Sequence, residues 1–254
     1  MLFPALSSIL AIMIVILLPL QVIEKKAMAT LSLKLNEKLY LRDPQHSLLG
    51  QNIISKSVNL IDELGFEHFT FKKLADFINS TEASIYRYFE NKHRLLHYLV
   101  AWYWNWVDYR IELATTSLAQ PHEKLLAALK VISEEVKNDP NFDFVNEVAL
   151  HRIVVSELDK TYLTKWVDSD NHDGLFGGLK TVSKKISALI QQINPSYPFP
   201  ESLASSAVMA VNQQLFFIDH LPSLSSISKS DPASLRHEKL RVFIELLVVN
   251  AIRK

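Results

Sequence analysis

Three residues with capping side chains, Thr70, Thr81 and Asn91, stand eleven and then ten residues apart. A side-chain oxygen at such a position accepts from a backbone N–H of a helix's first turn. The spacing therefore leaves room for two short helices, over 71–78 and 82–89, and then the start of a third at Lys92. The first would turn Leu74, Ala75 and Ile78 inward, the second Ile85 and Phe89. Asn79, which tolerates the left-handed conformation, falls where the chain must turn between them. Upstream, Ile53, Ile54, Val58, Ile61 and Leu64 recur at helical spacing and are followed at once by Gly65, as a helix end favours. Downstream the helical pattern runs on over 92–118. Two short helices between a packing helix and a long one make a three-helix head on a stalk, the helix-turn-helix arrangement.

The rest of the chain also reads as helix, over 123–137, 142–158, 175–193, 200–220 and 233–252, with Pro121, Pro140, Pro195, Pro198, Pro222 and Pro232 as punctuation. The serine-rich stretch 222–230 reads as a loop. No alternation calls for a strand, so the fold expected is all-α. Apolar residues are 48% and charged residues 21% of the 254, a globular mixture. Lys plus Arg equals Asp plus Glu at 27 each, so a case for nucleic acid has to rest on local arrangement. There is no cysteine, which removes disulfides, thiolate metal sites and cysteine nucleophiles. None of the five glycines forms a phosphate-cradling loop, which argues against nucleotide-dependent enzymes.

The N-terminal 23 residues are almost wholly apolar, about the length that crosses a bilayer as a helix. Three readings stay open. Translation starts at Met28 and 1–27 are not part of the protein; or 1–23 anchor it, with Lys25 and Lys26 holding the rest on the cytoplasmic face; or the segment directs export. Export is disfavoured by the lack of a basic residue ahead of the apolar run. Membrane contact follows only if 1–23 are translated and retained; otherwise the expected location is the cytoplasm.

Residues 69–96 read FTFKKLADFINSTEASIYRYFENKHRLL. Thr70 opens the second helix, Leu74-Ala75 is an inward pair, Asn79-Ser80 a turn, Tyr86-Arg87-Tyr88-Phe89 ends the third helix, and Asn91-Lys92 opens the fourth. This segment resembles the DNA-binding head of the TetR family of transcriptional regulators, over about 51–98. The residue types suit the task. Glu82, Ala83, Ser84 and Arg87 are small or polar residues for a helix entering a major groove, where Arg87 suits guanine and Glu82 cytosine N4. Thr70, Tyr86, Tyr88 and Lys92 carry donors suited to phosphates. By position, the resemblance implies base contacts from Lys72, Glu82, Ala83, Ser84 and Arg87, and phosphate contacts from Thr70, Tyr86, Tyr88 and Lys92. Two features depart from the family pattern: Asn79 replaces the usual glycine, and Glu82 is acidic close to phosphate.

The resemblance further implies an arm over 28–50, the DNA-binding head over 51–98, and a helical ligand-sensing and dimerisation domain over 99–254. Val208, Val211, Leu215 and Ile218 on one late helix, and Leu240, Phe243, Leu247 and Ala251 on the next, offer faces for a homodimer. Among the aromatics of the long helix, Trp102 and Trp106 are candidates to line a pocket for a small apolar or aromatic ligand. The expected function is a non-enzymatic regulator, a repressor released from a pseudo-palindromic double-stranded operator by that ligand. The alternative is a helical ligand-binding protein or enzyme without DNA binding.

Other constellations do not complete a site. His93 and His97 have metal spacing but no third ligand, and Lys92 and Arg94 oppose a cation. The stretch DSDNHDG at 168–174 has its glycine one place late for a calcium loop and reads as a solvated turn. Glu134 and Glu135 are adjacent on a helix and point apart. No cofactor or metal is expected.

Overall fold

The structure is a computed structural model, and residues 31–253 are described. The apolar segment 1–23, Lys25, Lys26 and the possible start at Met28 lie outside the described residues. Among the described residues there are eleven α-helices and no strand, the all-α fold expected. By contacts these residues form two compact units, 31–32 with 139–143, and 33–138 with 144–253. In the first, Leu31 N–H donates to the Asn141 carbonyl at 3.0 Å, and the Asp139 carboxylate accepts from the Asn141 backbone and side chain at 3.0 and 2.8 Å.

In the second unit two 3-10 turns, Glu37–Leu39 and Pro44–His46, precede α1, Leu48–Leu64. This helix begins ahead of its apolar stripe because Ser47 caps it, accepting from Gly50 N–H at 3.1 Å. Gly50 has a steric reason: a Cβ there would lie 2.3 Å from the Pro44 carbonyl oxygen. Ile53, Ile54, Val58 and Ile61 are buried as their spacing requires, and Gly65 ends the helix at φ 77°, ψ 154°, where a side chain is strained.

Helices α2 (Phe71–Phe77), α3 (Glu82–Tyr86) and α4 (Lys92–Thr115) follow, capped by Thr70, Thr81 and Asn91 as read from the sequence. Both short helices stop earlier than expected, and Ile78 is half-buried rather than inward. Thr115 and Thr116 end α4 short of Leu118 by bonding back to the Ile111 and Glu112 carbonyls at 2.8 and 2.7 Å. About 36 Å long by helix geometry, α4 is the central strut, buried along much of its circumference.

Around it pack α5 (Pro121–Ser133), α6 (Glu147–Glu157) and α9 (Gly177–Ile193). The helix expected over 142–158 starts at Glu147 because Asn146 caps it, accepting from Ala149 N–H at 3.0 Å. Short helices α7 (Asp159–Tyr162) and α8 (Val167–His172) come next. The second occupies what reads in sequence as a solvated turn. Its Asp170 is buried, with Arg94 Nη1 at 3.5 Å and His97 Nε2 at 3.6 Å, so long-range charge partners hold the segment helical. The last two long helices, α10 (Pro200–His220) and α11 (Ala233–Ala251), pack on each other and on α9 and α5 respectively.

The faces proposed for a dimer divide differently. Val208, Val211, Ile218 and Leu240 are buried within the single chain, and Leu215 is partly covered. On α11 the monomer core takes Leu240, Ile244 and Val248. Phe243 and Leu247 stay exposed together with Val242 and Leu246, and Ala251 is exposed as well.

Candidate nucleic-acid interface

The turn between α2 and α3 is set by Asn79, a non-glycine residue with positive φ, 51°. Its left-handed backbone lets Ser80 N–H reach back to the Ala75 carbonyl at 2.9 Å, closing the end of α2 as a glycine would. Thr81 then restarts the chain as α3. Its hydroxyl accepts from Ser84 N–H at 3.3 Å and lies 3.0 Å from Ser84 Oγ. Ile85 and Phe89, both fully buried, seat α3 from behind.

Glu82, Ala83 and Tyr86 therefore share the outward side of α3, and Arg87 follows at its C-cap; all four are exposed, with Ser84 half-buried. Tyr86 is 48% exposed yet held by an edge contact to the Phe71 ring, centroids 5.0 Å apart, which aims its hydroxyl without burying it. Thr70 and Lys72 are exposed at the start of α2. From Thr70 to Glu90 the chain carries Lys72, Lys73 and Arg87 against Asp76, Glu82 and Glu90, so this surface is locally neutral. Affinity from charge alone is correspondingly small, and discrimination has to come from shape and hydrogen bonds.

Tyr88 and Lys92 are placed elsewhere. Tyr88 is 2% exposed; its hydroxyl lies 2.8 Å from Ser47 Oγ, its carbonyl accepts from Leu41 N–H at 2.8 Å, and Arg42 stands over its ring. It joins the N-terminal arm to the head. The Lys92 ammonium donates to the carbonyls of Phe66, Glu67 and Phe69 at 3.0, 3.2 and 3.3 Å, above the Phe66 ring. Its three donors are thereby used inside the protein. Within the chain both residues support the head, Tyr88 through Ser47 and Lys92 through three backbone carbonyls.

The two tryptophans expected to line a pocket lie inside the body. Trp102 and Trp106 are 0% and 1% exposed, the first edge-on to Phe144, the second beside Tyr103 and under Arg110. Both pack in the core, and neither is among the residues lining two clefts of the body. One cleft, about 500 Å³, includes His93, Arg94, His97, Lys160 and Asp170. The other, about 520 Å³, lies among α1, α6, α10 and α11 and was not legible as a motif, because its walls come from stretches far apart in sequence. Asp62 of α1 receives a bidentate bond from Arg152 of α6, 2.8 and 2.6 Å, across this second cleft's lining. Also lining it is His151, whose burial, reinforced by His237, Arg152 and Arg110, drives its pKa from 6.5 down to about 3.

A short two-helix turn seated between a packing helix and a long strut, with its second helix turned outward, is the helix-turn-helix arrangement. Residues 53–99 match the sequence profile of the bacterial regulatory proteins of the tetR family. Solved structures share the fold over most of the chain. They include a putative TetR-family transcriptional regulator from Rhodococcus sp. (TM-score 0.57, 13% identity, 80% of this chain and 97% of that one). The TetR-family regulator PfmR from Thermus thermophilus is similar (0.51, 15%, 78% and 97%). So is AibR, solved with isovaleryl coenzyme A and operator DNA (0.52, 13%, 78% and 98%). No curated protein sequence matches the chain. Residues 53–99 thus match the tetR-family regulatory-protein profile, and the chain shares the overall fold of these solved structures.

Proposed function

We propose that the protein is a homodimeric repressor, acting in the cytoplasm, that leaves a pseudo-palindromic operator when a small molecule occupies its helical body. The observation that carries this reading is the outward side of α3, where Glu82, Ala83 and Arg87 are exposed while Ile85 and Phe89 fix the helix in place. Lys72, Glu82, Ala83, Ser84 and Arg87 read bases, and Thr70 and Tyr86 hold phosphates. The head comprises 51–98, preceded by an arm over 28–50, with 99–254 as the sensing and pairing body. Among the described residues no helix is long and apolar enough to cross a membrane.

Pairing is supported by α11, which is apolar on two sides. One side fills the chain's own core; the other leaves Val242, Phe243, Leu246 and Leu247 between 37% and 53% exposed. A helix apolar on both sides is expected where it is covered on both, and a two-fold axis would set a second copy's stripe against the first. AibR, a protein of the same fold, is solved with both an operator and an acyl thioester, which supports joining DNA reading and ligand sensing in one chain.

The test is fluorescence anisotropy with duplexes from the protein's own upstream region, over a salt series, followed by selection from a random DNA pool. The expected result is a palindromic preference that Arg87→Ala lowers about tenfold or more, in line with one lost bidentate base contact. Failure to enrich any sequence from the pool sinks the reading.

A further inference from the structure

The 520 Å³ cleft among α1, α6, α10 and α11 falls within the range of small-molecule sites, about 300–1,000 Å³. Ile61, Val148, Leu215, Phe216 and Ile218 give it an apolar wall. Its ionic groups are already matched. Arg152 forks Asp62 at 2.8 and 2.6 Å, Arg236 Nη1 lies 3.2 Å from Asp219, and Lys160 reaches Glu157 at 2.6 Å. The Arg236 Nε–H is closed off from solvent and offers nothing to an occupant. An anion would therefore meet four carboxylates and no open cation. A cation would find only Glu135, which is exposed, so that water screens the attraction. Either ion would have to break an existing pair or lose its water without a partner, and both are costly.

One polar group in the lining differs from these. His151 is 8% exposed and lines the cleft, one turn after Val148 and one turn before Val155 on the same face of α6. Its ring stands beside Tyr103, centroids 5.7 Å apart, and neither ring nitrogen has a hydrogen-bond partner among the described residues. Burial keeps the imidazole neutral, with its pKa down at about 3. A neutral imidazole has one N–H to donate. The charges acting on the ring, from His237, Arg152 and Arg110, are all cationic, so the negative end of a dipole is favoured at that N–H. A buried donor left without an acceptor costs free energy until one is supplied. We propose that this cleft binds an uncharged aliphatic carbonyl compound, its oxygen on the His151 N–H and its chain along Val148, Leu215 and Phe216. The assignment names the ligand class of the proposed regulator and rests on that reading only for its consequence. Helix α1 of the head shares the cleft with α10 and α11, so an occupant bears on head position and on pairing together.

Isothermal titration calorimetry on the full chain tests it, with octan-2-one as the probe and octanoate and octylammonium as charged controls of the same length. The ketone is expected to bind at least about tenfold tighter than either ion, because neither ion finds an open partner. His151→Phe keeps a ring beside Tyr103 and removes the donor. It should weaken ketone binding about fivefold, the worth of one net hydrogen bond. Val148→Trp, from a half-buried position on the apolar wall, should block the ketone altogether. Long-range proton–nitrogen NMR correlations of the imidazole rings give an answer in the unaltered chain, even if a variant misfolds: saturating ketone should shift the His151 ring nitrogens. Either ion binding as tightly as the ketone, no ketone binding at millimolar concentration, full binding by Val148→Trp, or His151 signals unmoved at saturation would each overturn the assignment. Anisotropy of ligand-free protein on DNA is read separately. A protein that selects no DNA yet binds octan-2-one at His151 loses the regulator reading and keeps the cleft, and the converse result does the reverse.

Discussion

Lys92 has three N–H donors, and three backbone carbonyls following α1 take them. Replacing it with methionine keeps the apolar stem on the Phe66 ring and removes the bonds. The expected cost is about 1–2 kcal/mol in urea unfolding, with the salt dependence of DNA binding unchanged. A drop of about one in that slope would instead make Lys92 a phosphate contact. Sequence could not settle this, because a lysine offers the same donors to a phosphate and to a carbonyl. Tyr88 was opaque for the same reason, since its partner Ser47 is forty-one residues away. His151 gives a prediction of a different kind. Its pKa is 6.5 when unfolded and about 3 when folded, so below pH 6.5 the unfolded chain binds the extra proton. The stability from burying it neutral is complete above pH 6.5 and is lost progressively as pH falls toward 3. Over the step from pH 7 to pH 5 that loss is about 2 kcal/mol. His97, lowered by burial against an opposing Asp170, acts in the same direction. His151→Phe, which keeps a ring beside Tyr103, should lose correspondingly less stability over that step in urea titrations. An unchanged pH slope would remove His151 as its source.

The short helices of the head were legible because each carries its own start signal: Thr70, Thr81 and Asn91 act within three residues of themselves, and Ile85 and Phe89 need only a period. Helix α8 was not legible for the opposite reason. Its composition, two aspartates and an asparagine ahead of Asp173-Gly174, is that of a solvated turn, and what holds it is Arg94 and His97, more than seventy residues earlier. The same segment ties down the arm, where Lys38 pairs with Asp173 at 2.6 Å and the Asn36 amide donates to the Asp173 carbonyl at 2.7 Å. Asp170→Ala would leave the partly buried Arg94 guanidinium and His97 without their shared carboxylate, and should cost about 2 kcal/mol. Asp168→Ala, on the exposed side of the same helix, should stay within about 0.5 kcal/mol of wild type. Equal effects from the two, measured by urea unfolding, would mean that helix propensity and not the charge cluster sets the stability of α8.

At the scale of the whole molecule, the last helix shows how one amphipathic pattern can hide two faces. Sequence spacing groups Leu240 with Phe243, Leu247 and Ala251; the fold takes Leu240 with Ile244 and Val248 into the chain's own core and leaves the others outside. Only packing against α5 and α10 decides which side is spent internally, and no local rule in α11 records that choice. The division gives a clean test of pairing. Leu246 is 53% exposed in the single chain, so Leu246→Glu leaves the core untouched and should preserve helicity and the unfolding transition of the monomer. Set against a second copy, it would place a charge in an apolar interface, where desolvation without a partner is costly. Sedimentation at micromolar concentration should therefore show wild-type dimer and variant monomer. DNA binding should weaken by about 100-fold or more, because two heads on one frame engage the second half-site at high effective concentration and separate heads do not. A variant that stays dimeric with unchanged operator affinity would place the pairing surface elsewhere on the body. A monomer that keeps its affinity would mean that a single head reads the whole site.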